Sequence, residues 1–435
     1  MKTSIFKQSL IASVVTLSAT YANAAAFQLA EISTSGLGRA YAGEAAIAED
    51  ASVVATNPAL MTKFKQNEFS VGGILVDAKV HLEGETFVYE NGKVPGKYMP
   101  KAGDSANQRD VIPRAFVPNL YVVTPINDRF AIGGGMNVNF GMRSKFDSDY
   151  SAGIYGGNTK LTAVNLNLSG AYRVTQGLSF GLGLNAVYAK AKLERNVGLL
   201  NLIPPFNRNQ AKADTLVARL QDNNAWGFGW NAGLVYEFNE NNRIGVAYHS
   251  HVDITFKDGA AYNNFSRKKT KAASLELNLP AYWEISGYHK MTERFAMSYS
   301  LKRTLWNRFE KLQATFNDGV PALYKPEYFQ DSTRIALGAS YDVNEALTLR
   351  TGIAYDESPI VAPYKSASIP DTDRTWYSLG ATYKVTQNLS VDLAYTHIRG
   401  KTISFVEQEL GKPIRVEYTS RSKANLFGLN LNYRF

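Results

Sequence analysis

No cysteine occurs anywhere in the 435 residues. Its absence excludes disulfide cross-links and suits a chain that crosses an oxidising periplasm without mispairing. Long apolar runs are missing too: beyond the amino end, nothing approaches the roughly 18 to 20 uninterrupted apolar residues that a membrane-spanning helix needs. Charged residues make up only 20% of the chain. No compact block of Lys and Arg points to nucleic acid, and the net charge of +9 reads as a diffuse excess in loops. Motifs of chemistry are equally scarce. No G-x-S-x-G elbow is present. Gly227-Phe-Gly-Trp-Asn-Ala-Gly233 has the wrong spacing for a dinucleotide fingerprint and lies in a strand-like run. His249 and His251 stand two apart with only Asp253 nearby, which reads as a polar lumen face or rim and not as a metal site. We therefore expect no enzyme activity, no cofactor and no metal.

What the chain has in quantity is aromatic residues and glycine, with Tyr 25, Phe 22 and Gly 34. The last nine residues put Phe427, Leu429, Leu431, Tyr433 and Phe435 on one face of a strand and Gly428, Asn430, Asn432 and Arg434 on the other. Strict period-two alternation with aromatics at both ends of the apolar face describes a strand between lipid and a polar lumen. Four hairpins repeat the pattern: Val164–Tyr172 with Leu178–Tyr188, Phe228–Phe238 with Ile244–Tyr248, Ile335–Tyr341 with Leu347–Leu349, and Tyr377–Tyr383 with Leu389–Tyr395. Their tight turns alternate with long polar connections at Glu194–Asn224, Lys257–Ala273 and Phe309–Ser332, as in outer-membrane barrels.

The amino end reads as a secretory signal. Lys2 and Lys7 form its charged region, Leu10–Leu17 its apolar core, and Ala22-Asn23-Ala24 its cleavage pattern. We read residues 1–24 as signal peptide, 25–66 as a separate front segment and 67–435 as barrel. Residues 25–62 do not alternate, are rich in small residues and reach Asn57-Pro58-Ala59, where Pro58 must break or kink a helix. That segment reads as a plug folded inside the lumen, a loose periplasmic arm being the alternative. About 370 residues remain, which at roughly 26 per strand and connection gives about 14 strands, an even number. The expected fold is an all-β transmembrane antiparallel barrel with its lumen plugged by an N-terminal hatch, in the outer membrane.

The front residues also carry a family likeness. Phe27-Gln28, Gly36-Leu-Gly-Arg-Ala-Tyr41, Gly43-Glu44, Ala48, Asp50 and Asn57-Pro-Ala59 resemble the hatch of FadL-type long-chain fatty acid transporters. Val117-Pro-Asn119, Asn165–Tyr172, Ala191-Lys-Leu-Glu-Arg195, Trp226–Trp230, Arg334–Gly338 and Ile369-Pro-Asp371 continue the resemblance in order to Phe435. It implies a 14-stranded barrel and passive uptake of long-chain fatty acids. Two cations, matched here by Arg195 and Lys325, would grip the carboxylate, and Phe27 would line the pocket. It further implies an inward kink of the third strand at Asn139, Phe140 and Gly141 that opens the wall sideways. The third long loop, from Asn196 to Asn224, is shorter than in many members, which leaves its part in initial capture open in detail. Rival functions are uptake of aromatic hydrocarbons, which would need no cation pair, and a surface adhesin. Expected partners are fatty acids, outer-membrane lipid and lipopolysaccharide, and the barrel assembly machinery, with the protein itself a monomer.

Overall fold

The computed structural model describes residues 27–89, 98–99, 105–204, 206–263, 268–319, 321–408 and 413–435, so the signal peptide and its cleavage site lie outside the described residues. Fourteen strands form a closed antiparallel meander: β1 (Glu68–Tyr89), β2 (Ala115–Pro125), β3 (Phe130–Lys145), β4 (Asn158–Arg173), β5 (Leu178–Asn196), β6 (Leu216–Asn239), β7 (Asn242–His249), β8 (Ala281–Lys290), β9 (Phe295–Leu305), β10 (Ser332–Asp342), β11 (Leu347–Asp356), β12 (Arg374–Lys384), β13 (Leu389–Gly400) and β14 (Ile414–Arg434). The ring closes where β1 meets β14, in register from Glu68↔Arg434 to Val88↔Ile414. Closure leaves no sheet edge to be satisfied in lipid, the condition for crossing a membrane with strands.

The alternation decides which way each side chain points. On β14, Phe427, Leu429, Leu431 and Tyr433 are 43–53% exposed, while Asn430 and Asn432 between them are 1% and 3% exposed. Phe228, Leu168 and Leu379 are exposed in the same outward manner. In water this would be a severe liability, but against acyl chains it is the stable arrangement. All four hairpins form with their tight turns. No helix among the described residues is long and apolar enough to cross a membrane.

Two of the long connections are not plain loops, as their polar composition had implied. Residues 252–263 and 268–279 form one hairpin and 311–316 and 321–326 another, pairing with each other and with β6 above the barrel wall. Ile254, Phe256, Leu275 and Leu277 alternate within them, a period-two signal diluted by the neighbouring lysines. The third long loop is also narrower than its expected bounds, because β5 runs to Asn196 and β6 starts at Leu216. Between them Val197 and Leu200 are buried in the core, whereas Leu202 is exposed.

Residues 27–66 pack against inward-facing positions of strands all round the ring, from Ser70 of β1 through Gly181, Gly245 and Gly352 to Gly428 of β14. Short helices α1 (Thr34–Leu37) and α2 (Val53–Thr56) are joined by turns, and a 3-10 turn runs from Pro58 to Lys63. Tyr121 on β2 donates to the Ile32 carbonyl at 2.9 Å, and Ser300 on β9 accepts from Gly43 N at 2.8 Å. Ser286 on β8 accepts from Ala45 N at 3.1 Å, and Arg334 on β10 donates to the Ala40 carbonyl at 2.8 Å. Arg39 pairs with Glu44 at 3.2 Å and Glu49 at 3.4 Å, and Glu49 also meets Arg350 on β11 at 3.2 Å. Inward glycines make the fit possible: a Cβ on Gly352 would collide with the Arg39 carbonyl, and one on Gly245 with the Ala45 carbonyl.

Candidate functional site

Hatch and outer hairpins border an apolar, partly open cavity in the upper barrel. Met142 of β3, Leu161 of β4, Leu193 of β5 and Leu220 of β6 form one side of it. Phe256, Leu275, Leu277 and Leu312 of the two hairpins line it as well, together with Phe27 and Phe309. Phe27 is 1% exposed and packs edge-on against Trp306 at 4.8 Å and Phe309 at 5.2 Å, with Phe140 and Phe329 at 6.2 and 6.4 Å. Edge-to-face packing is a favoured arrangement of rings, so Phe27 is held within an aromatic cluster at the edge of the cavity.

The two sequence-matched cations stand one residue behind the cavity wall. Arg195 on β5 donates from Nη1 to Thr159 Oγ1 at 3.1 Å and from Nη2 to Ser368 Oγ at 2.8 Å. Lys325 on the outer hairpin pairs with Glu327 at 3.1 Å. Thr159 and Glu327 both line the cavity, so each cation reaches it through a partner already in the wall. Glu327 is itself 1% exposed, and reading the sequence alone missed it. Its signal was its place two residues from Lys325, which in an extended chain gives both the same side.

On the strand expected to kink, the wall departs from a regular ladder. Asn139 is an extra residue between the pairs Val138↔Val164 and Phe140↔Ala163, a bulge on β3. The β2–β3 ladder runs from Pro125↔Ala131 to Asn119↔Asn137 and stops there. Ala115–Pro118 of β2 continue to pair with β1 alone among the described strands. Pro118 stands at that end and has no N–H to give to a ladder. The freed edge of β3 is taken by the hatch: Leu29 N donates to Asn139 O at 2.9 Å, Gly141 N donates to Phe27 O at 2.9 Å, and Gln28 bridges Phe140.

Asn57 ends α2 in an extended conformation, φ −146° and ψ 102°, and its side chain accepts from Ala59 N at 3.0 Å to start the next turn at Pro58. Its Nδ2 donates to the Ala45 carbonyl at 2.7 Å, so one amide ties the bend to the hatch. The remaining polar candidates are structural. His249 stacks on Tyr282 at 4.3 Å and meets the Ala55 carbonyl at 2.9 Å. His251 lies past the end of β7, not on one strand face with His249, and no metal-holding group occurs among the described residues. Arg374 pairs with Asp356 at 2.8 Å and Asp371 at 3.8 Å, while Asp373 accepts from Tyr355 Oη and Ser358 N instead.

Residues 15–435 match the family model described as outer membrane protein transport protein (OMPP1/FadL/TodX). Outer membrane protein P1 of Haemophilus influenzae is 53% identical over 459 residues, covering 99% of each chain. The long-chain fatty acid transport protein of Escherichia coli (strain K12) is 40% identical over 462 residues, again with 99% of each chain covered. Among solved structures, a Pseudomonas aeruginosa FadL homologue superposes with a TM-score of 0.80 at 25% identity, over 94% of this chain and 99% of that one. The P. putida toluene transporter TodX shares the fold at a TM-score of 0.64 and 17% identity, over 89% and 95%.

Proposed function

The chain belongs to the OMPP1/FadL/TodX family of outer membrane transport proteins, and on that footing we propose that it takes up long-chain fatty acids. The acid would be held with its tail in the apolar cavity and its carboxylate toward Arg195 and Lys325. One observation carries the choice of substrate: a cavity walled by apolar side chains has Thr159 and Glu327, the partners of two cations, set in its lining. Burying an acyl chain is favourable by about 0.8 kcal/mol per methylene. A buried carboxylate without partners would cancel much of that gain, and a guanidinium fork with an ammonium removes the penalty. A hydrocarbon without a head group gains nothing from these cations, so they favour the acid. Glu327 occupies Lys325 as a carboxylate of the chain's own, which an incoming acid exchanges for its own head group.

Release runs sideways in this reading. Phe27 separates the cavity from the interrupted β2–β3 ladder, and the same hatch strand that carries Phe27 covers the freed edge of β3. Withdrawal of residues 27–29 would join cavity to gap, and an acyl tail prefers membrane hydrocarbon to periplasmic water by the same per-methylene term that bound it. Uptake of labelled oleate by a Gram-negative host lacking its own transporter, with toluene for comparison, tests the proposal. Saturable oleate uptake that falls in the Arg195→Ala/Lys325→Ala variant supports it. Toluene uptake with no oleate uptake overturns it.

A further inference from the structure

The outward faces of β3, β4 and β5 carry a concentration of positive charge that the transport reading does not use. Cross-strand pairing sets Arg143 beside Lys160 and Lys160 beside Lys192 in one row. In the row above, Lys145 and Asn158 are followed by Glu194 and, on β6, Arg219. In the row below stands Lys190, next to Thr162. By alternation with the buried, lumen-side Ser144, Thr159 and Leu161 these residues take the outward face, while Lys160 and Lys192 also border the cavity. Like charges directly opposite across strands oppose pairing. Arg143, Lys190 and Lys192 are all near enough to repel Lys160.

Among the described residues Glu194 stands in the row above, and it is already engaged by Lys192 at 3.1 Å, Arg219 at 2.8 Å and Asn158 at 3.0 Å. Arg143, Lys145 and Lys190 form no ion pair among the described residues, and Arg143 Nε is buried without a hydrogen-bond partner. Height on the wall identifies the counter-charge. Tyr188 and Trp226, 5.0 Å apart, form the next rung down on the same face, and below them lie the exposed Leu166, Leu168, Leu184 and Phe228 of the lipid band. At about 3.4 Å per residue on tilted strands, the cations stand roughly 5 to 10 Å beyond that aromatic girdle, within the headgroup layer. The strand ends here lead into the long connections 146–157 and 197–215, which marks the outer rim.

We propose that this face is a binding site for the phosphates of the phosphorylated glycolipid that forms the outer leaflet, with Arg143, Lys160 and Lys190 as its principal contacts. Guanidinium and ammonium groups spread over three strands match a lipid with two phosphates on a rigid sugar core, and apolar rungs directly beneath match its acyl chains. Because Lys160 also borders the cavity, oleate binding is measured on the same variants, and the Arg143 and Lys190 contacts stand or fall without the fatty acid reading.

The test uses the full mature barrel in detergent and measures binding of bisphosphorylated lipid A, of the same lipid A after phosphatase treatment, and of phosphatidylglycerol in mixed micelles. The wild type should prefer the bisphosphorylated form over both others. Arg143→Gln/Lys160→Gln/Lys190→Gln should weaken it roughly a hundredfold, about fivefold per charge, while Lys384→Gln at the opposite rim should not. Heat-modifiable gel mobility reports folding. If the triple variant fails to fold, the single variants Lys160→Gln and Lys190→Gln each carry the test at about fivefold. Undiminished binding by folded variants, or equal binding of dephosphorylated lipid A or phosphatidylglycerol, overturns the proposal.

Discussion

At the scale of single residues, the site depends on how a few charges are partnered. Arg195 hands one hydrogen bond to Thr159 and another to Ser368, while Lys325 is held by Glu327. If these cations serve a carboxylate, Arg195→Ala with Lys325→Ala will cost the fatty acid about 1.5–3 kcal/mol, a charge-assisted hydrogen bond's worth. The matching fatty alcohol will bind almost as before. Titration of the folded variant with both ligands checks this, and equal losses would sink the assignment. Glu327→Gln makes the opposite demand: removing the resident competitor for Lys325 should tighten acid binding several-fold and leave the alcohol unchanged, read by the same titration. Arg195, Lys325 and Phe27 become candidates only through family resemblance, because by residue type alone each reads as a rim charge or a core ring. Glu327 was missed in spite of standing two residues from Lys325, since its place in the cavity wall follows from how the outer hairpins pair with each other.

Elements bring a different kind of constraint, set by ladder and register. Asn139 is one extra residue in β3, and Val138 and Phe140 on either side of it already point to opposite faces. Deleting Asn139 therefore leaves every other side chain of the strand on its own face and permits an uninterrupted ladder. Combined with Gly141→Val, the deletion should straighten the wall beside the gap. Oleate binding should persist while oleate uptake falls, measured in the same host on a barrel that remains heat-modifiable. Normal uptake through such a wall would restore an axial route. Hatch seating is likewise a question of element contact. Gly352→Val places methyl groups where the Arg39 carbonyl lies, with no flexible side chain to yield. The variant should still close its barrel but release the hatch, seen as proteolysis within residues 27–66 and as raised conductance in planar bilayers.

For the molecule as a whole, the hatch is a polar body held in a closed ring, and its stability should follow pH. Burial pushes the Glu31 carboxyl up to about 7, against the pull of Arg374 and Arg334. Burial does the same to Glu44, also to about 7, outweighing its Arg39 partner. A carboxyl whose folded pKa is raised binds its proton more tightly in the seated state, so stability falls as pH rises from the unfolded value near 4.5 through about 7. Glu49 is held low by Arg350 and Arg39 in spite of burial, and its contribution is lost only at more acid pH, outside that window. Protection of residues 27–66 from hydrogen exchange, taken relative to the intrinsic rate at each pH, should accordingly be higher at pH 5 than at pH 8, and Glu31→Gln should shrink the difference. Identical protection at both values would show that these carboxyls do not govern seating.

What the amino-acid sequence determined by itself is the architecture. Period-two alternation is local, because lipid on one side and a polar lumen on the other act on each strand independently, and Phe427–Phe435 reports that without knowledge of any neighbour. Tight turns such as Thr386–Asn388 are local as well, which is why hairpins and an even count near 14 could be read directly. The Asn57-Pro58 break is in the same class, since proline acts on its own backbone. Tertiary structure alone decided the rest. Whether polar connections become hairpins over the cavity depends on edges offered by β6 after the ring has closed. Hatch residues 27–29 take the edge that β2 leaves on β3 only because closure brings segments more than a hundred residues apart into contact. No periodicity encodes such meetings, for they depend on shape complementarity between parts that have already folded.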